Sequence, residues 1–237
     1  MGKSLIQQAR GKGGPSYLAR SFRYKTSAKH LPVTKNIGGT ISDFVKCPGH
    51  SAPLVEITYD DGSLALMIAP EGACVGDKIA SAQDARPTVN GNTLTLSNIP
   101  EGASIYNIES QPGDGGKFCR AGGVSARLVS KTDKFAIVVL PSRKEKEFLL
   151  SCRATIGIIA GGNRKEKPYL RAGAKHHAKR ARNKRYPMIS GAAQNAVDHP
   201  FGNKRTSRKA KQRPAPRFAP AGRKVGKLHP KRTGRKK

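Results

Sequence analysis

Residues 54–68, LVEITYDDGSLALMI, read as a β-hairpin and set the fold class. Side chains alternate between the faces of a strand, so Val55, Ile57 and Tyr59 share one face of the first arm. Asp60-Asp61-Gly62 supplies the turn, because glycine takes the left-handed backbone that tight hairpins need. The chain returns through Ser63–Ile68 with Leu64, Leu66 and Ile68 alternating. Working outward, Thr40–Val45 reads as an earlier strand and Pro70-Glu71-Gly72 as the next turn. Asp77-Lys78-Ile79 reads as a short strand before a loop at 84–87. Strands this short and evenly spaced leave unpaired edges, and closure into a small barrel removes them.

The pattern starts again at Gly91. Thr93–Leu96 alternates, Ile99-Pro100-Glu101-Gly102 turns, and Ile105–Glu109 (IYNIE) returns. Beyond the glycine-rich loop Gln111–Gly116, strands are expected over Val124–Ser130 and Lys134–Leu140, joined by Thr132-Asp133. Two more are expected over Glu147–Leu150 and Cys152–Ala160. The expectation is an all-β protein of two adjacent barrels, 36–90 and 91–162, with little helix. On a longer reading the second reaches about residue 195.

Charge divides the chain in the same places. Lys and Arg number 45 against 15 Asp and Glu, a net of +30. Residues 1–35 hold 8 basic and no acidic residues, 36–162 hold 12 and 13, and 163–237 hold 25 and 2. A nearly neutral centre thus carries two cationic extensions, 1–35 and 163–237. Charge this dense repels itself and calls for a polyanion, and nucleic acid fits. A membrane surface does not fit, because the extensions lack an apolar helical face. The longest aliphatic run, Ala136–Leu140, is far too short to cross a bilayer. No secretory leader is expected, since nothing in the first residues exceeds Leu5-Ile6 as an apolar run.

Gly113-Asp114-Gly115-Gly116 and Gly122-Gly123 match neither a P-loop nor a strand–G-x-G-x-x-G–helix unit. They read as sharp turns that also let an RNA backbone approach closely. Cys47, Cys74, Cys119 and Cys152 form no Cys-x-x-Cys pair and read as reduced core thiols. Cys47-Pro48-Gly49-His50 has the spacing of half a zinc site without a second half, so no metal is expected. No paired carboxylates or metal cluster sit in one segment, which disfavours an RNA-processing enzyme; the chain is not expected to be an enzyme.

In the first extension, Gly11–Pro15 is a flexible break. After it Tyr17, Arg20, Phe22, Arg23, Tyr24 and Lys25 interleave rings with cations, a combination suited to RNA backbone and unstacked bases. Residues 163–213 have few aliphatic side chains and no apolar period, so they need a partner to order against. Within them Arg171–Arg185 (RAGAKHHAKRARNKR) favours a helix whose only apolar residues are alanines. Arginine forks onto phosphate where lysine does not, so Arg171, Arg180, Arg182, Arg185 and Arg205 lead the candidate contacts, with Lys175, Lys184 and Lys204 beside them. His176 and His177 should point apart on a helix and contact RNA rather than a metal. Gly191–Gly202 (GAAQNAVDHPFG) reads as a defined loop. Lys204–Arg217 and Arg223–Lys237 are expected to lack fixed structure in isolation.

Several segments together resemble the universal large-subunit ribosomal protein two family, in its archaeal and eukaryotic branch. They are Ile99–Glu109 (IPEGASIYNIE), Gly115-Gly116, Cys152–Gly157 (CRATIG), Arg171–Ala174 (RAGA), Asn195–Pro200 (NAVDHP), Lys224-Val225-Gly226 and Lys231–Gly234 (KRTG). Arg23-Tyr24-Lys25 fits the family's N-terminal arm, so the resemblance spans essentially the whole chain. It implies an OB-fold barrel, then an SH3-like barrel, with extensions threading into ribosomal RNA. It also implies the role of a structural constituent of cytoplasmic ribosomes. That role includes binding large-subunit rRNA and neighbouring ribosomal proteins, help in joining the small subunit, and support of the peptidyl-transferase region. No homo-oligomer is expected, and no cofactor beyond Mg2+ or K+ of the bound rRNA.

Carried onto this chain, the resemblance adds Asn195, Asp198, His199 and Pro200 to the RNA-contacting set and places His199 near the catalytic region of the subunit. Imidazole titrates near neutrality, but the neighbouring Asp198 side chain diverges and no nucleophile or second acid accompanies it, so His199 reads as a structural RNA contact. After Gly202 the family usually continues with glycines, where this chain has Asn203-Lys204. The departure either disturbs a close backbone approach or replaces it with a lysine–phosphate contact. The runner-up reading is a free-standing nucleic-acid-binding protein, against which the β core with its glycine-rich loops argues.

Overall fold

The computed structural model describes residues 11–15, 17–19, 21–32, 36–82, 89–203 and 213–230. Arg20, Lys204, Arg205, the loop expected at 84–87 and the segment 231–234 lie outside them. The chain divides into two compact units, residues 21–168 and, together, 1–20 with 169–237.

The first unit is a ten-stranded sheet. Its strands are β1 (Ile37–Val45), β2 (Leu54–Tyr59), β3 (Leu64–Ile68), β4 (Lys78–Ser81), β5 (Thr93–Thr95), β6 (Ser104–Tyr106), β7 (Ala126–Lys131), β8 (Phe135–Val139), β9 (Glu145–Leu149) and β10 (Arg153–Ile156). Their order is β3-β2-β1-β4-β5-β10-β6-β7-β8-β9. Neighbours pair antiparallel except β4 and β5, which meet in parallel at Ser81 and Thr93.

The β2–β3 hairpin forms where the turn signal places it. Gly62 takes φ +79, and Asp61 Oδ1 accepts from Ser63 N and Oγ at 2.9 and 2.6 Å. Val55, Ile57 and Tyr59 are buried together with Ile41, Met67 and Ile79. The returning strand departs from the alternation read in the sequence. Met67, opposite Val55, fills this cluster; Leu64 is exposed, and Ile68 is buried with Leu54, Tyr106 and Ile159 instead. The cause is that the Leu54↔Ile68 end of the hairpin is covered on both faces, so period two no longer separates core from solvent there. A third cluster, including Leu94, Leu96, Ile99, Ile105, Leu128, Val138 and Phe148, is enclosed by β5–β10. The strand expected to run to Glu109 stops at Tyr106, because Asn107 turns the chain at φ +49.

A buried polar tie crosses this apolar interior. Arg153 Nη2 and Nε donate to Glu109 Oε1 at 2.8 and 3.2 Å, and Arg153 N donates to Oε2 at 2.9 Å. Gly113 N and Gly115 N reach the same carboxylate at 3.2 and 3.3 Å. Burial pushes the Glu109 carboxyl up, but the hydrogen bonds and charge of Arg153 outweigh it and hold the group below its ordinary value. Arg153 Nη1 donates to Leu31 O at 2.8 Å, Arg120 Nη2 donates to Ala28 O, and His30 N donates to Gly115 O at 3.1 Å. Residues 28–31, which composition assigns to the first extension, are thereby packed against the sheet, with Ala28 and His30 buried.

His30 Nε2–H donates to Asn107 O at 2.6 Å, while Nδ1 has no partner. Burial pushes its imidazole down to about 4. Between the ordinary value of about 6.5 and this one, the unfolded chain binds a proton that the folded chain refuses. The stability this represents is complete above pH 6.5 and is lost as pH falls towards 4, about 3 kcal/mol in all. Urea unfolding should show the wild type losing that much more than His30→Gln over this interval; equal losses would mean that the imidazole stays in water.

The thiol expectation holds for Cys47 and Cys152, which are buried, and fails for Cys74, which is exposed in the turn after Gly72. Burial pushes the Cys119 and Cys152 thiols up to about 11, which leaves them unreactive.

Candidate nucleic-acid interface

The cationic stretch 171–185 folds around helix α1 (Ala172–Ala181) in the second unit. Alanine, lysine and arginine favour a helix, and Lys179 and Arg180 in its last turn complement the negative end of its dipole. Asn183 stops it: its φ is +50, its N–H donates to Arg180 O at 3.0 Å, and Lys184 N donates to Lys179 O at 2.9 Å. Asn183 Nδ2 also donates to Pro15 O at 3.3 Å and to Leu18 O, fixing the helix end to the chain's beginning within the same unit. No residue of α1 is buried, and its first turn has no acidic residue. Arg171, His176, His177, Arg180, Arg182, Lys184 and Arg185 are exposed; Lys175 is half-buried, with Nζ 5.3 Å over the Tyr186 ring. His176 and His177 do not diverge as expected. Their rings meet edge-on at 5.6 Å, since helical side chains lean together towards the helix N-terminus.

Residues 189–203 close into a loop on their own hydrogen bonds. Asp198 N and His199 N donate to Asn195 O at 3.0 and 3.1 Å, Gly202 N donates to His199 O at 2.9 Å, and Gln194 Nε2 donates to Ile189 O at 3.0 Å. Phe201 N donates to His199 Nδ1 at 3.0 Å, so the neutral ring carries its proton on Nε2 as a donor. The loop is tight enough to require glycine. A Cβ on Gly191 would fall 2.4 Å from the His199 ring, and one on Gly202 would fall 2.3 Å from the Asn195 carbonyl carbon. This geometry leaves the His199 Nε2–H as the ring's donor.

Three expectations from the sequence need correction. The loop at Gly113–Gly116, read as open to an RNA backbone, turns its amides inward: Gly113 N and Gly115 N serve Glu109, while Ser110, Gln111 and Gly116 N serve Asp114 at 2.9, 3.2 and 3.0 Å. The close approach expected between RNA and Gly122-Gly123 is made by the chain to itself: a Cβ on Gly123 would lie 2.1 Å from Gly162 Cα. The described parts of the two stretches expected to lack fixed structure, 213–217 and 223–230, meet each other, with Ala215 buried and bridged to Leu228. Among the described residues no three His, Cys, Asp or Glu side chains gather where they could hold a metal.

The family profile described as "Ribosomal Proteins L2, C-terminal domain" matches residues 89–220, more than half of the chain. Similarity runs well beyond it. "Large ribosomal subunit protein uL2" of Natronomonas pharaonis is 45% identical over 237 residues, 99% of this chain and 97% of the relative. The uL2 of Haloarcula marismortui is also 45% identical over 237 residues, 99% and 98% of the two chains. That of Methanococcoides burtonii is 43% identical over 238 residues, with 100% of each chain covered. The chain belongs to the uL2 family.

Where the resemblance implied glycine after Gly202, Asn203 takes φ +57 and donates its N–H to Gln194 O at 3.2 Å. Asparagine is among the few other residues that accept the left-handed region, so the turn survives the departure. The uL2 resemblance also singled out Arg23-Tyr24-Lys25. Arg23 and Lys25 are exposed, whereas Tyr24 is half-buried with its ring against Gly49, where a Cβ would come within 2.7 Å. Of the other candidates, Asn195, Asp198 and Pro200 are exposed and His199 is half-buried. The sequence did not point to Glu109, Arg153 and His30, which position the first basic segment without touching solvent.

Proposed function

We propose that the chain is a structural constituent of the large ribosomal subunit in the cytoplasm, binding large-subunit rRNA through its cationic segments. The observation that carries this is α1: a helix with no buried residue and no acidic first turn, in a chain that belongs to the uL2 family. Such a helix gains little by folding alone and much by lying against phosphate. The two strand sets β3-β2-β1-β4 and β5-β10-β6-β7-β8-β9, each around its own apolar cluster, support an OB-fold barrel over 36–90 and an SH3-like barrel over 91–162. Segments 1–35 and 163–237 act as RNA-threading extensions. Neighbouring ribosomal proteins and the small subunit are the further partners, near the peptidyl-transferase region. The chain does no chemistry of its own, and its only ions are those of the bound rRNA.

The test is a sucrose gradient of a lysate from cells making the chain, with and without RNase treatment. The chain should sediment with the large subunit, resist a moderate salt wash, and move to the top after RNase. Recovery at the top without RNase, or on DNA, would instead make it a free-standing nucleic-acid binder.

A further inference from the structure

Two phenylalanines stand almost fully in solvent, Phe22 at 80% and Phe218 at 88% exposure. Neither is on a loose segment. Phe22 sits in the 3-10 turn Ser21–Arg23, closed by Tyr24 N donating to Ser21 O at 2.8 Å, and Tyr24 behind it packs on the cluster of Ala28, Cys47 and Leu54. Phe218 sits in a turn closed by Ala219 N donating to Pro216 O at 3.2 Å, between the buried Ala215 and Ala219. Ala215 is itself held by Ala215 N to Lys227 O at 2.8 Å and His229 N to Ala215 O at 2.9 Å. Pro214, Pro216 and Pro220 restrict the backbone of that turn. Each ring has a guanidinium beside it, Arg23 Cζ at 5.5 Å and Arg217 Cζ at 5.6 Å from the ring centroid.

An aromatic ring held in water on an anchored turn gives up the gain of burial until something flat covers it. Its fixed position means that little entropy is lost when that happens. The adjoining cation selects what covers it: a flat π-system joined to an anion. We propose that Phe22 and Phe218 are stacking platforms for unpaired nucleobases, with Arg23 and Arg217 taking the adjacent phosphates. A duplex hides its base faces within its own stack, so the ligand is a loop, bulge or single strand. The two platforms lie in different units, and each acts alone. The inference rests on the RNA-binding reading and adds the part of the RNA that is recognised.

The experiment compares the full chain with Phe22→Leu and Phe218→Leu, which keep the apolar bulk and remove the flat ring. The probes are a short oligoadenylate and an abasic oligonucleotide with the same number of phosphates. The wild type should prefer oligoadenylate. Each variant should lose one of the two oligoadenylate sites, and the two changes together should lower affinity for it about tenfold; all should keep their affinity for the abasic strand and the wild-type unfolding midpoint. Variants that bind oligoadenylate as the wild type does, or that weaken equally on both probes, would overturn the proposal; in the first case the rings belong to a protein contact. A wild type that binds both probes equally overturns it too, with RNA binding left standing. A wild type that binds neither removes the RNA-binding reading and this inference together.

Discussion

Glu109→Ala should destabilise the protein by about 3–5 kcal/mol, because it strands a buried cation. Arg153 donates twice to the carboxylate that this change removes and has almost no access to water. Gly113 N, Gly115 N and Arg153 N lose their acceptor in the same step. A surface ion pair would cost under about 1 kcal/mol, so the size of the effect distinguishes a buried tie from an exposed one. The damage reaches the first basic segment as well. Arg153 Nη1 holds Leu31 O, and Gly115 O holds His30 N, so release of the loop loosens residues 28–31, which then hang on the Arg120–Ala28 and His30–Asn107 hydrogen bonds. Proteolysis near Lys29 should accelerate along with the destabilisation measured by urea unfolding. Glu109→Leu with Arg153→Met removes both charges and should recover much of the stability. Recovery stays incomplete because the loop amides and Leu31 O remain unpaired. A single variant within about 1 kcal/mol of the wild type would refute this account.

What the sequence revealed, and what it hid, follows from the range of the forces involved. The β2–β3 hairpin is local: alternation in LVEITY and the Asp-Asp-Gly turn lie within a few residues, and both are realised. Helix α1 is local as well, since its propensities and its Asn183 stop sit side by side. Glu109 and Arg153 are 44 residues apart, and nothing in either strand announces the other. The one available signal was a single charge in each of two otherwise uncharged strand segments, IYNIE and CRATIG, since such a charge must be paired if the strand is buried. The glycines of Gly122-Gly123 were legible as close approaches but not as approaches to Gly161-Gly162, because a glycine shows that something comes near without saying what. Charge counting divided the chain after residues 35 and 162, but it took residues 28–31 with the first segment, since Lys29 stands between Lys25 and Lys35 with no acidic residue near, and a count of charge does not register a buried alanine.

Replacing Arg180, Arg182, Lys184 and Arg185 together by alanine should lower affinity for large-subunit rRNA by about three orders of magnitude near 0.1 M salt. All four are exposed around the C-terminal end of α1, so the change removes charge without opening a cavity. A phosphate that the protein no longer neutralises keeps its counterion, so the slope of log affinity against log salt should fall by about three to four units. Filter binding across a salt series reads both quantities. A lysine-only version of the arginine positions separates charge from geometry. It should keep most of the slope, because counterion release depends on charge, and still bind more weakly, because an ammonium cannot fork onto two phosphate oxygens. If alanine lowers affinity while leaving the slope unchanged, these residues act through shape rather than by neutralising phosphate. If neither quantity moves, α1 is not where the chain meets RNA, and the helix must find its support elsewhere.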